Sequence, residues 1–456
     1  MSYEPVSKPS RQRRSRLREP LALAVIGAMV AGAPAAANAA TSKKPTAAPG
    51  FKLSKLAAFP NGVTNCDDLA LLDGNLFIGC QNNVLSNGAG GPPTPKKDTS
   101  TLLEYTTGGK LVKTWTLKNK IDGLGADPLT RKVIVTLDED ANSRLVTITP
   151  SAPAAQQVTN YTYSPDPRGT STPPALKTGG GTDTVTVDSA GHILIAASHA
   201  GTITGTATFK AVLTPPSSPG ATGTATLSPT FLDNATATNA RTGASIPMAL
   251  GDVDSATIVP PSSPKYAGQY VVTDQTKLAL IFAKDLNNGT GLTYLPTQFG
   301  LDDLRWATAN GGTLYVVDKG PQLPLGIGSL YKITGAFKQG AVYAANDGVS
   351  DQVVTVNLNT GQTTPIVKGL GTSKGLVYVD PSGTVPGLST AIPISATASA
   401  TSSPSSTTPA SSSTTSAKKK SSSSSSTGLI IGIIVVVLLV LAGGGYAMSR
   451  RRTTPS

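Results

Sequence analysis

Between Phe51 and Asp380 the apolar residues come in short runs separated by Gly, Asp, Asn, Pro or Ser, and no stretch sustains the three-and-four spacing of a helix over a dozen residues. The pattern therefore predicts strands. One unit recurs: an Asp, a β-type run, a Gly-bearing turn, a second apolar run and a polar or acidic stop. Its first copy runs Asp67-Asp68-Leu69-Ala70-Leu71-Leu72, turns at Asp73-Gly74-Asn75 and returns through Leu76 to Cys80. An Asp-Gly pair between apolar runs is a hairpin signal, because both turn positions need positive φ. Further copies begin at Asp122, Asp183, Asp254 and Asp303, the fourth with a Pro- and Ser-rich insertion and the fifth with Gly311-Gly312 in its turn. A sixth run, Gly375 to Asp380, ends the series without a hairpin partner of its own.

Successive unit-opening aspartates are 54, 61, 71 and 49 residues apart. These spacings leave room for two more strands per unit, such as Thr101–Tyr105 with Leu111–Leu117, and Gln352–Leu358 with Pro365–Leu370. Four strands repeated about six times resemble the blades of a β-propeller. The Asp, turn-Gly, apolar-x-Asp unit is similar to the six-bladed propellers of the NHL-repeat and gluconolactonase-like superfamily. The expected fold class is thus an all-β six-bladed propeller over 51–380. Seven blades, or β-sandwiches in series, are the other all-β arrangements the pattern allows. Closure needs strands from elsewhere for the last blade, and Phe51 to Phe59 are the candidates.

Composition agrees with strands and turns: 47 Gly and 35 Pro, with 14% charged and 5% aromatic residues. The net charge of +12 suggests a nucleic-acid partner until it is located. Residues 1–39 hold six Lys/Arg and two acids, and residues 411–456 hold six Lys/Arg and no acid. The interior keeps 26 basic against 24 acidic residues, so no basic footprint survives and no nucleic-acid partner is expected.

The ends read as an address. Arg11 to Arg18 precede an apolar run from Leu21 to Ala31 and the small-x-small triplet Ala37-Asn38-Ala39, which predicts a signal peptide over 1–39. Residues 381–427 are almost wholly Ser, Thr, Ala and Pro, a disordered low-complexity stalk, glycosylated or bare. Gly428 to Met448 carries no charge and is long enough for a transmembrane helix; Arg450 to Arg452 then mark 449–456 as a basic cytoplasmic tail. The expectation is a single-pass cell-membrane protein with its N-terminal ectodomain outside. The eight-residue tail leaves function to the ectodomain.

Cys66 and Cys80 bracket the first hairpin, and in an exported domain they are expected to form a disulfide. His192 and His199 are the sole histidines, too few for three-His zinc, and neither has a fixed partner; no catalytic residue is assigned. Asp68, Asp122, Asp183, Asp254 and Asp303 open the inner strands. Either each caps its own turn, in which case no cofactor is expected, or they converge on the channel, where oxygen donors would favour Ca²⁺ or Mg²⁺. The resembling family's metal site includes a Glu in an early Glu-Gly-Pro motif; that motif is missing here, so its activity does not carry over. Two functions follow: a non-enzymatic propeller that binds an extracellular protein, peptide or carbohydrate through its loops at Gly88–Asp98, Asp166–Gly181 and Leu213–Pro229, or a divalent-metal-dependent lactonase-type hydrolase in the channel.

The mature chain is expected to begin near Ala40, and truncation before Gly428 is expected to release it from membranes. N-terminal sequencing and membrane fractionation check both halves; recovery of Met1 from exported protein, or a truncated chain still embedded, contradicts them.

Overall fold

The computed structural model describes residues 44–91, 97–139, 143–165, 181–198, 205–287, 289–320, 327–346, 348–349 and 351–383. The expected leader at 1–39, nearly all of the stalk, the 428–448 span, the tail and His199 lie outside the described residues. Among the described residues no helix is long and apolar enough to cross a membrane. They contain no α-helix and one 3₁₀ turn, Ala154–Gln156.

Two strands, β1 (Thr46–Ala47) and β2 (Phe51–Ala58), precede the first unit, which is β3 (Cys66–Leu72), β4 (Asn75–Cys80), β5 (Thr99–Thr106) and β6 (Leu111–Lys118). Asp73 and Gly74 both take positive φ, 50° and 81°, and close β3 onto β4 as the Asp-Gly signal predicts. The second unit is β7 (Ile121–Asp127), β8 (Lys132–Leu137), β9 (Arg144–Ile148) and β10 (Val158–Ser164). The third is β11 (Val185–Val187), β12 (Ile193–Ala196), β13 (Thr206–Thr214) and β14 (Gly223–Leu232). A hairpin of β15 (Thr236–Asn239) and β16 (Ser245–Pro247) extends the outer edge of the fourth, β17 (Val253–Ile258), β18 (Tyr270–Asp274), β19 (Ala279–Asp285) and β20 (Thr290–Pro296). The remainder are β21 (Leu301–Trp306), β22 (Thr313–Asp318), β23 (Ser329–Gly335), β24 (Val342–Asn346), β25 (Gln352–Val356), β26 (Thr363–Lys368) and β27 (Ser373–Val379).

The inner strands β3, β7, β11, β17, β21 and β27 contact one another in that order and β27 returns to β3. The protein is a six-bladed β-propeller. Its core follows from strand periodicity, since successive side chains leave opposite faces of a blade and each blade has a neighbour on both faces. On β8, Val133 and Val135 pack with Phe77 and Trp115 of the first blade, whereas Ile134 packs with Val185 and Phe209 of the third. Continuous apolar runs thus serve two interfaces at once. The outer strands β10 and β14 pair in parallel and fuse the second and third blades into one sheet.

Closure departs from the sequence reading. Asp303–Trp306 and Leu314–Asp318 were expected to form one hairpin through Gly311-Gly312, but β21 pairs with β24, and β22 pairs with β23 and β27. The chain leaves blade five after one strand, builds two strands of blade six, returns for β24 to β26 and ends on β27. The N-terminus locks both blades from outside: β2 pairs with β23, as the Phe51–Phe59 assignment anticipated, and β1 pairs with β26. A second correction concerns Leu213–Pro229, expected as a loop. Much of it is strand, because β13 and β14 pair from Thr206 to Leu232 around a short turn.

Cys66 and Cys80 are disulfide-bonded, with S–S 2.05 Å, and face each other across β3 and β4. The bridge closes a short local loop next to Asp67 and Asp68, for which chain entropy gives about 3 kcal/mol. Cys66→Ala is expected to lower unfolding stability by up to about 3 kcal/mol in a denaturant titration while leaving a folded propeller. Two labelled thiols in denatured, unreduced native protein would show that the bond does not form.

Candidate functional site

Because every blade begins with the same unit, the first residues of the inner strands meet at one end of the channel. Asp68, Asp122, Asp183, Asp254 and Asp303 all line one cavity of about 140 Å³ there, together with Asp67, Asp302, Glu139, Gln81, Ser255, Lys120 and Lys319. The sixth strand, β27, supplies Lys374 at the corresponding place, paired with Asp302 and 3.7 Å from Asp67. Two glycines let the strands approach this closely. A Cβ on Gly123 would lie 2.4 Å from the carbonyl of Asp183, and one on Gly375 would lie 2.5 Å from that of Asp67.

The aspartates differ in their partners. Asp303, 5% exposed, accepts bonds from Ser255 Oγ at 2.8 Å, Leu304 N at 2.7 Å, Arg305 Nη1 at 2.5 Å and Leu376 N at 2.6 Å. Asp122 pairs with Lys120 at 2.6 Å and accepts the Glu139 N–H. Among the described residues Asp254 accepts only the Gln275 side chain, at 2.8 Å. Asp183 is 3% exposed and no bond to its carboxyl is seen among the described residues, whereas Oδ2 of Asp68 is itself buried and unpartnered. Turn capping thus describes none of Asp68, Asp183 and Asp254, whose carboxyls accept no backbone N–H among the described residues.

Crowding sets the protonation. Burial raises Asp68 well above the usual carboxylate range, and neighbouring Asp67, Asp302 and Asp303 add to it. Burial likewise raises Asp183, reinforced by Asp254 and Glu139, and Asp254, reinforced by Asp302 against Lys374. At Asp122 burial outweighs the opposing pull of Lys120. Asp67 goes the other way, because Lys319 and Lys374 overcome its burial. Lys120 is held charged by Asp122 and Glu139 despite burial. The cavity therefore sets Asp67, pulled down by two lysines, beside carboxyls that burial and one another hold above the usual range.

Reading the sequence found the five unit-opening aspartates and missed the groups that balance them. Asp67 and Asp302 were visible as doublets with Asp68 and Asp303, but Lys120, Lys319, Lys374 and Arg305 lie in four different segments that only closure brings together. His192 sits at a turn, bonded through Nδ1 to Asp188 at 2.8 Å, away from this cavity. Among the described residues no group of three or more His, Cys, Asp or Glu is arranged to hold a metal ion. Oxygen donors are abundant, and Lys120, Lys319 and Lys374 pair with Asp122, Asp67 and Asp302 among them.

No protein-family model and no curated protein matches the sequence. Among solved structures the chain is similar to a putative gluconolactonase, with 12% identity, 74% of this chain and 88% of that chain covered, and a TM-score of 0.40. It is also similar to a streptogramin B lyase, at 10% identity, 74% and 94% coverage and a TM-score of 0.36. A chain of a nidogen/laminin complex matches at 8% identity, 69% and 84% coverage and a TM-score of 0.38. The likeness is one of fold.

Two measurements follow from the protonation pattern. A carboxyl whose pKa is raised by folding stabilises the protein fully below its unfolded value, and that contribution is lost as pH rises through the folded value. Asp138 and Asp233, both pushed up to about 6 by burial, place part of this loss in an accessible window. The thermal midpoint is expected to be higher near about pH 5 than near about pH 8; Asp67, shifted down, opposes this only in stronger acid. A midpoint that climbs over the same interval contradicts the assignment. At about pH 8, Asp68→Asn is expected to stabilise by removing a carboxyl whose Oδ2 is buried without a partner, whereas Asp303→Asn is expected to cost about 1.5–3 kcal/mol. Urea titrations of the two variants compare them directly.

Proposed function

We propose that this chain is a single-pass cell-surface protein whose propeller ectodomain binds an extracellular protein or peptide, without chemistry, by seating a cationic side chain in the acidic cavity. The observation that carries the reading is Asp68: a carboxyl whose Oδ2 is buried yet without a hydrogen-bond partner, lining a cavity it shares with Asp183 and Asp254. A buried polar group ordinarily finds a partner within the protein, and an unpartnered one is costly. An ammonium or guanidinium group entering the cavity would donate to these carboxyls and displace their protons. The bond would then be charge-assisted and short of competing water. Carbohydrate, which brings no positive charge, fits this electrostatic demand less well. The placement at the cell surface rests on the leader-like 1–39 segment and the uncharged 428–448 run.

Full-length protein in detergent, titrated calorimetrically with trilysine and triarginine peptides in buffers of different ionisation enthalpy, tests the reading. Binding is expected with proton release, weakening as pH falls, and at least about tenfold weaker in Asp68→Asn. If neither peptide binds, or if the variant binds them unchanged, the proposal fails. Stoichiometric retention of Ca²⁺ or Mg²⁺ with hydrolysis of lactones, both lost in Asp68→Asn, would instead establish the metal-dependent hydrolase.

A further inference from the structure

Beyond the acidic cavity the same six inner strands enclose a second compartment of about 340 Å³, within the range of small-molecule pockets. Its wall is apolar and takes one large side chain from each blade: Leu71, Leu124, Val187, Ile258, Trp306 and Val377. Only two charged residues line it. Asp73 sits at the hairpin turn, exposed and paired with Arg131 at 2.9 Å. Arg305 lies on β21, with a side chain 24% exposed.

The polar groups of Trp306 and Tyr378 are already committed. The Trp306 indole N–H donates to Ser263 Oγ at 3.1 Å, and the Tyr378 hydroxyl reaches the Gly311 carbonyl at 2.7 Å. Arg305 differs. Its Nη1 donates to Asp303 at 2.5 Å and to the Leu304 carbonyl at 2.7 Å, while Nε and Nη2 have no partner among the described residues. A guanidinium carries five N–H donors in a planar fork, so a residue lining the compartment keeps donors that no protein group takes up. Its charge is matched by Asp303. What the free donors lack is an acceptor and not a counter-ion.

We infer that this compartment is a binding site for a small, uncharged apolar molecule bearing a carbonyl oxygen, with the oxygen on Arg305 and the body against the six-strand wall. A carboxylate would bring a second negative charge to a guanidinium that Asp303 already neutralises, and a plain hydrocarbon would displace water from the free donors without replacing its bonds. The carbonyl satisfies the donors without adding charge. The site is separate from the acidic cavity and does not rest on the peptide-binding reading.

Benzophenone is a suitable probe, since it is apolar, carries one carbonyl and inserts into neighbouring C–H bonds when irradiated. Full-length protein in detergent, photolabelled and mapped by mass spectrometry, is expected to carry the label on the peptides of Leu71, Leu124, Ile258 or Val377. Fluorenone, which keeps the carbonyl, should suppress labelling at concentrations at least about tenfold lower than fluorene or fluorene-carboxylate, as a hydrogen bond to a charged donor implies. Arg305→Leu should remove that preference while retaining labelling. The inference is overturned if the label falls outside the channel, if fluorene or the carboxylate competes as well as fluorenone, or if Arg305→Leu keeps the preference. Competition on the unmodified protein decides the matter even where the variant does not fold.

Discussion

The ring closes on a buried carboxylate. Asp303 accepts bonds from Ser255 of β17, Leu376 of β27 and Arg305 of its own strand, so one side chain pins blades four, five and six at the channel. Bonds to an ionised acceptor at low local dielectric are the stronger kind, and removing the acceptor would take a bond from four donors at once. The interlaced closure depends on this pin. β21 reaches blade five without its sequence neighbour β22, and β27 arrives last, so no turn holds either strand in register with the other. A turn-independent contact between them is what fixes their spacing.

The same repeat that supplies the pin creates the strain it must hold against. A unit that places an Asp at the start of each inner strand puts several carboxylates around one axis when the ring closes, and like charges in a small cavity cannot all ionise. The protein answers in two ways. Lys120, Lys319 and Lys374 neutralise part of the ring, and Asp68, Asp122, Asp183 and Asp254 hold protons more tightly than free carboxyls do. Substituting lysine for acid on the sixth strand is part of this balance, because Lys374 touches both Asp67 and Asp302.

Much of this was legible in the sequence, and the limits are physical. Local signals worked where a turn dictates pairing: Asp73-Gly74 closes β3 on β4, and the long insertion before Tyr270 leaves β17 paired with β18. They misled at Gly311-Gly312, which has the residues of a hairpin turn but carries the chain to the next blade. Glycine reports conformational freedom and not destination. The five aspartates could be named in advance because repetition implies a shared position. Their partners could not, since pairing across the channel depends on closure and no periodicity encodes it. Arg305 was hidden for the same reason, two residues beyond an Asp whose partners only closure supplies.

Channel polarity changes along its axis, from carboxyls and lysines at the strand starts to Leu, Val, Ile and Trp further along. The two compartments share no lining residue, but the bond between Asp303 and Arg305 joins them, since each belongs to a different one. A ligand that drew on Nε and Nη2 of Arg305 would sit on the same guanidinium whose Nη1 holds Asp303, and any turn of its plane would reach the carboxylate that holds three blades. Coupling of this kind needs no long pathway, only one shared ion pair whose partners face opposite ends of the channel. The pin that closes the ring is therefore also the contact through which occupancy at one end would be felt at the other.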